Sequence, residues 1–531
     1  MKRINPRDSQ PFKYPNEVEW KNMIRRKLSL AAAVVTATAL TLTACSGGDT
    51  PAADLTSVSI MAPFLEAQPP AADGAVQKKL EELTGKQVKI NWAPNASYED
   101  KTNITLAGSD IPQVMVIQGK TPGFVKNAQA GAFWDLTDKL DKYPNLKTTF
   151  PDIQKNASVN GKVYGVYRGR APMRAAVMFR QDWLDKLGLQ PPKTTEDLYK
   201  VAKAFTEQDP DGNGQNDTWG ITIPKWGALG TNSPYDLIEE WYGAGNRWTE
   251  KDGKLIPSFE TDEFLEADRF IKKMVDEKLI NPDFATFDST KWNEPFFNGK
   301  GGIIVDVDSR VSVLINLFKQ ADPNNFQNKV GFVGNLEGPD GKLHAHPTDG
   351  YSGFLAIPKA SVKTDAELDK VLQFLNTMNG KDVAILLNNG IEGVNFKVED
   401  GKAATIKPET PEGKAVTTDI KSYAQLGMNV AGNEFYPVKQ PSDYEQQVFD
   451  KRTEVMAADL KSAVYNPAAP FVSQTYVAKG AQLDNIVADA RIKYLAGQID
   501  EQGLKDAIKL WDTSGGNKVK EEINKLWQDN K

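Results

Sequence analysis

The sequence predicts an α/β fold of doubly wound sheets, in a chain long enough for two lobes. Between residues 57 and 117, short apolar or alternating runs take turns with stretches of helical apolar spacing. That β-α-β-α-β order calls for a parallel sheet. The 531 residues exceed what one core organises, so they amount to two or three domains or one large bilobal unit. Hydrophobic residues make up 40% and charged residues 25%, the balance of a soluble globular protein.

The elements follow in order. Ser57–Met61 reads as a strand ending before Pro63, and Val76–Leu83 as a helix stopped by Thr84-Gly85. Gln87–Trp92 alternates as a second strand, Tyr98–Ala107 is helical, and Gln113–Ile117 is a short continuous apolar strand.

Ahead of them, Lys21, Arg25, Arg26 and Lys27 precede a 15-residue apolar run from Leu28 to Leu42. The run is short of the ~20 residues that span a bilayer, and its basic flank marks a secretory signal. Its end, Leu42-Thr43-Ala44-Cys45, resembles the lipobox of bacterial lipoproteins. The resemblance implies cleavage before Cys45 and a diacylglyceryl thioether on its sulfur. Cys45 is the only cysteine, so it forms no internal disulfide. Ser46 to Ala53 is a small, polar tether, and Met23 makes a more usual start for the signal than Met1.

Residues 1–45 hold 8 basic and 3 acidic side chains of the totals of 64 and 70, which leaves 56 against 67 beyond Cys45. That acidic balance argues against nucleic acid or an anionic membrane surface as the main partner. The only histidines, His344 and His346, follow the hairpin turn Gly338-Pro-Asp-Gly341, and a surface hairpin is their simplest reading. So few His and Cys offer little for a transition-metal site or a His-based triad.

Several motifs then point one way. Leu106-Ala-Gly-Ser-Asp110-Ile-Pro112-Gln-Val-Met resembles the "LASGDLPDIV" run of family 1 extracellular solute-binding proteins, the substrate receptors of ABC importers. NAQAGAFWDL (127–136), Asn160-Gly-Lys-Val-Tyr-Gly-Val-Tyr-Arg168 and Phe179-Arg-Gln-Asp-Trp-Leu-Asp-Lys-Leu-Gly are similar to further family motifs in the family's order. Phe297-Asn-Gly-Lys-Gly-Gly and Asn389-Gly-Ile-Glu-Gly-Val-Asn-Phe396 continue the series, the latter resembling the large-oligosaccharide lipoprotein branch. Trp511 and Trp527 bracket a C-terminal helix like that family's last element. The resemblance covers residues 55–531. It implies a two-lobed periplasmic-binding-protein-like fold of type II with the ligand in the cleft between lobes. The expected division is a signal over 1–45, a tether over 46–56, a first lobe over 57–165 and a second over 166–347. The chain then returns to the first lobe over 348–395 and ends in the second with the C-terminal helices over 396–531.

Asp209-Pro-Asp211-Gly-Asn213-Gly-Gln215-Asn-Asp217 is the sharpest local signal. Oxygen side chains at loop positions 1, 3, 5 and 9, with Gly at 6, fit an EF-hand calcium loop in which Gln215 gives its carbonyl. Gly220 replaces the bidentate Glu of position 12. Some receptors with such a loop put a Glu after the last Asp, where this chain has Thr218. A structural calcium is expected, with a polar turn as the alternative.

A sugar cleft needs aromatic platforms and hydrogen-bonding edges. Trp219, Trp226, Tyr235, Trp241, Tyr242 and Trp248 cluster in sequence, and Trp226, Tyr235 and Trp241 are taken as candidate stacking residues. Core packing is the other use of such rings. Arg168, Arg170 and Arg174 surround the first crossing expected between lobes, where guanidiniums could clamp carboxylates or hydroxyls. They tilt the expectation toward an acidic oligosaccharide, with interlobe salt bridges as the alternative. Asp308 and Arg310 follow a strand where maltose-type receptors often carry an aromatic, whose role could pass to Trp292. Tyr351 belongs to the second crossing, Glu392 and Asn395 lie on or near a third, and Asp110 could accept a sugar hydroxyl.

The reading is therefore a lipid-anchored extracellular receptor, expected as a monomer, that closes on an oligosaccharide and delivers it to an ABC permease without catalysis. A bacterium without an outer membrane is the expected host. A secreted glycoside hydrolase is the first alternative, because its two carboxylates cannot be excluded by count. A receptor for a peptide or another non-sugar solute is the second.

Overall fold

The computed structural model describes residues 55–226, 229–230 and 233–530. Cys45 with its flanking signal and tether lies outside them. Among the described residues no helix is long and apolar enough to cross a membrane.

Among the described residues thirteen strands follow one another: β1 Ser57–Phe64, β2 Gln87–Pro94, β3 Val114–Ile117, β4 Val166–Gly169, β5 Ala175–Arg180, β6 Trp219–Ile221, β7 Trp248–Lys251, β8 Lys254–Pro257, β9 Gly301–Val307, β10 Val330–Val333, β11 Tyr351–Ala356, β12 Phe396–Glu399 and β13 Lys402–Thr405. One sheet runs β2-β1-β3-β11-β4 and the other β10-β5-β9-β6, while β7-β8 and β12-β13 are hairpins. The opening segment folds as its pattern requires. β1 pairs in parallel with both β2 and β3, and the helix Ala75–Thr84 between β1 and β2 buries Val76 and Leu80. Gly85 ends that helix in the left-handed conformation at φ 64° and donates its N–H to Glu81 O, which fits a residue with no Cβ. All four residues of β3 are buried, so it reads as a continuous apolar run.

Both sheets are mixed, which the β-α-β pattern does not foresee. β11 is antiparallel to β3 and β4, and β5 is antiparallel to β9 and β10. The cause is where the chain changes lobe. β4 ends at the crossing and β5 begins just after it, so β5 enters its sheet from the edge at which β6, β9 and β10 end. β11 likewise starts from the second crossing. The two crossings pair with each other: Arg170 N donates to Gly350 O (2.9 Å), Thr348 N donates to Pro172 O (2.7 Å), and Met173 bridges to Pro347.

Two cores result. The first gathers Val58, Ile60, Val114–Ile117, Val166, Leu355 and Leu375, together with Val416, Tyr423, Leu426 and Val430. The first lobe thus keeps the chain well past residue 395, where the sequence reading moves it across. The chain crosses later, after Lys439 donates its N–H to Ala403 O (2.9 Å) in the first lobe. The following helix, Asp443–Asp459, packs Tyr444, Val448 and Val455 on the second lobe. The second core holds Phe205, Tyr235, Trp241, Phe264, Ile303 and the C-terminal Trp511 and Trp527.

Candidate functional site

In α/β sheets, ligands bind outside the carboxyl ends of strands, where the topology reverses. Those ends face the crossings in both lobes, and five predicted residues fall there, three of them already engaged by other side chains or carbonyls. Arg168 is buried, donating from Nη1 to Ser352 O (2.9 Å) and from Nη2 to Gln425 Oε1 (2.7 Å). Asp308 accepts from Arg452 at 2.7 Å. Arg310 pairs with Asp306, donates to Asn293 Oδ1 (2.6 Å) and lies 4.2 Å from the Trp292 ring centroid. Arg174 is half-buried, within 3.4 Å of Ser309 Oγ, and Tyr351 is half-buried against Phe354.

The aromatic expectation is corrected for three rings. Tyr235 and Trp241 are 0% exposed and Trp292 is 1% exposed. Trp241 Nε1 donates to Asn335 Oδ1 and Trp292 Nε1 donates to Thr222 O, both at 2.9 Å. These rings are core, and a sugar could reach them only by unpacking it. Trp226 stays half-buried, edge-on to Trp292 at 5.9 Å. Asp110 is exposed on the loop entering β3, at the sheet edge away from the crossings, so it does not face the cleft. Glu392 is exposed within the first lobe, and Asn395 ties Ile391 N (2.7 Å) to Asn389 O (2.7 Å) as a local turn. Neither lies on a crossing.

A cavity of about 470 Å³ opens between Lys120 and Pro122 of the first lobe and Arg247, Trp248, Phe259, Tyr476 and Asp484 of the second. That volume suits a small-molecule site. Lys120 Nζ donates to Asn156 O (2.6 Å), Ser158 O (3.1 Å) and Ala469 O, so its ammonium joins both lobes, and burial pulls its pKa down to about 8. Asn160 N donates to Pro470 O (2.8 Å) beside it. Tyr476 donates its hydroxyl to Asp484 (2.6 Å), and burial raises that carboxyl. Sequence reasoning missed Lys120, Arg247, Tyr476 and Asp484. Only Lys120 carried a local signal, as the first charge beyond the end of β3.

A buried charge cluster forms part of the cavity wall, where Asp236, Glu239 and His346 line it. The helix Pro234–Trp241 is buried along its whole length, with Asp236, Glu239 and Glu240 among its residues. Arg491, 0% exposed, donates to Glu239 Oε1 (2.7 Å) and stands 3.4 Å from Asp236 Oδ1. Burial pushes the Glu239 carboxyl up to about 7, and burial with the charge of Glu239 raises Asp268 well above the usual range. His346 is not on a surface hairpin. It is buried with Nδ1 3.7 Å from Glu240, while His344 pairs with Asp340 at 2.9 Å.

The loop of Asp209, Asp211, Asn213, Gln215 and Asp217 folds tightly on itself. Asp209 takes φ 47°, and its carboxylate accepts from the N–H groups of Gly212, Asn213 and Gly214 at 3.0–3.1 Å. The Asn213 amide donates to both Asp211 (2.8 Å) and Asp217 (3.2 Å), and the Lys300 ammonium pairs with Asp217. Among the described residues no three Asp, Glu, His or Cys side chains are gathered as a metal would gather them. The donors are still of the hard oxygen class, and cationic or N–H groups stand between the carboxylates. The donor set therefore fits a hard cation.

The profile of the family described as bacterial extracellular solute-binding protein matches residues 65–385. Lipoprotein LipO of Bacillus subtilis (strain 168) is 45% identical over 475 residues, spanning 90% of this chain and 93% of that protein. The polygalacturonan/rhamnogalacturonan-binding protein YtcQ of the same organism is 34% identical over 500 residues, spanning 92% and 96%. In fold, the chain is like the HMO-binding ABC-transporter-associated solute-binding protein of Bifidobacterium longum infantis. That likeness has a TM-score of 0.64 at 20% identity over 88% of this chain and 98% of the other.

Proposed function

Because this chain belongs to the bacterial extracellular solute-binding protein family, we propose that it is the oligosaccharide receptor of an ABC importer. The observation that carries the reading is the interlobe cavity, whose lining sets the aromatic rings of Trp248 and Tyr476 beside the polar groups of Arg247 and Asp484. Sugars present apolar C–H faces and hydroxyl rims, and that mixture answers both. Hinge closure over the ligand would change the face shown to a permease. A lipid on Cys45 would hold the receptor at the outer face of the membrane, where tethering raises its effective concentration near the transporter. Calorimetric titration with plant oligosaccharides should show binding with no new reducing ends. Release of reducing ends would make the protein a hydrolase and overturn the reading.

The same reading includes a structural calcium, held by Asp209, Asp211, Asn213, the Gln215 carbonyl and Asp217. Bound calcium would neutralise the three carboxylates and stiffen the second lobe. Calcium at 100 times its dissociation constant should add about 2.7 kcal/mol to stability. Asp209→Ala should abolish the calcium-dependent rise in melting temperature. An unchanged rise in that variant would place the ion elsewhere, and no rise in the parent would remove the site.

A further inference from the structure

Nine arginines lie in the described residues, and they divide cleanly. Arg180, Arg269, Arg310, Arg452 and Arg491, in the second lobe, each pair with a carboxylate. Arg168, Arg170, Arg174 and Arg247, at the crossings or the cavity between lobes, pair with none among the described residues. Arg168 is spent on a carbonyl and an amide, Arg170 reaches only Ser352 Oγ (2.8 Å), and Arg174 reaches only Ser309 Oγ. The Arg247 side chain has neither hydrogen bond nor ion pair among the described residues, although its backbone carbonyl accepts from Ser258 N (2.8 Å).

Arg247 is also set in place at some cost. Its backbone takes φ 61°, a left-handed conformation unusual for a long side chain, and such strain gathers at binding sites. Its side chain lies against Gly230, where an added Cβ would strike Cγ, Cδ and Nε. The guanidinium is exposed in the wall of the cavity, and its charge reaches Lys120, Tyr351, Tyr476 and Asp484. Asp484 does not cancel it: that carboxyl is not within ion-pair distance and accepts the Tyr476 hydroxyl. In a chain with more acidic than basic residues, an unpaired guanidinium in a cavity is a site for an anion, and its planar fork suits a carboxylate.

Resting on the receptor reading above, the geometry points to Arg247 as the anchor for the carboxylate of a uronate-bearing oligosaccharide, with Trp248 and Tyr476 beside it for the sugar ring. The probes are enzymatic digests of polygalacturonate and of alginate, each before and after chemical reduction of its carboxyl groups to alcohols. They are tested by thermal shift and calorimetry on the intact protein. At least one untreated digest should bind, with affinity falling as salt rises. Carboxyl reduction or Arg247→Met should weaken it at least tenfold, while Arg247→Lys should recover part. The melting temperature of each unliganded variant checks that it has folded. Equal binding of reduced and untreated digests, or full affinity in a folded Arg247→Met, overturns the anchor and leaves the receptor reading standing. Binding confined to a neutral oligosaccharide panel does the same. No binding of either digest or of the neutral panel overturns both.

Discussion

Arg491→Leu should lower the unfolding free energy by about 3–5 kcal/mol, because it strands buried carboxylates without their counter-charge. Glu239 and Asp236 both face this guanidinium, Asp268 feels its charge, and Arg491 is 0% exposed. His346 is the other basic group that Glu239 feels. The loss should depend on pH. In the parent, Glu239 has its carboxyl raised to about 7 by burial. It therefore holds a proton in the folded state that the unfolded chain releases near 4.5. Its contribution to stability is complete below about 4.5 and is lost as pH rises through about 7. The Arg491→Leu deficit should accordingly be greatest above pH 7 and shrink toward pH 4.5. Urea unfolding across that range tests it, and a deficit independent of pH would mean that Arg491 acts by packing alone.

Trp241→Ala should cost about 3–5 kcal/mol, the range for removing a large aromatic from a core. The ring is 0% exposed in the second core, and its Nε1–H serves Asn335 Oδ1. Oligosaccharide affinity of the protein that remains folded should be unchanged. Denaturant midpoints and calorimetry on the same sample separate the two effects. Lost affinity at parental stability would return Trp241 to the ligand.

Local pattern carried the first lobe well, because each element there announces itself within a few residues. β3 is apolar at every position, β2 alternates, and Gly85 sits where a helix must stop. Trp241 and Trp248 show where local pattern fails. They are seven residues apart with the same side chain, yet one is core and the other lines the cavity. A tryptophan satisfies either role, and the choice depends on packing between distant segments. Arg168 and Arg247 differ in the same way. The Arg168 side chain meets Gln425, 257 residues away, whereas the Arg247 guanidinium meets no hydrogen-bond or ion-pair partner among the described residues, and neither fact is written near the residue itself. The antiparallel entry of β5 and β11 became legible only with the crossings known.

The paired crossings constrain how the two lobes can move. Arg170 to Gly350 and Thr348 to Pro172 lock two connecting strands side by side. Sliding one past the other would break both bonds and turn alternate side chains over. Twisting or bending the pair together leaves the bonds made. The pair thus yields to torsion, as a ribbon does, more readily than to translation of one connection along the other.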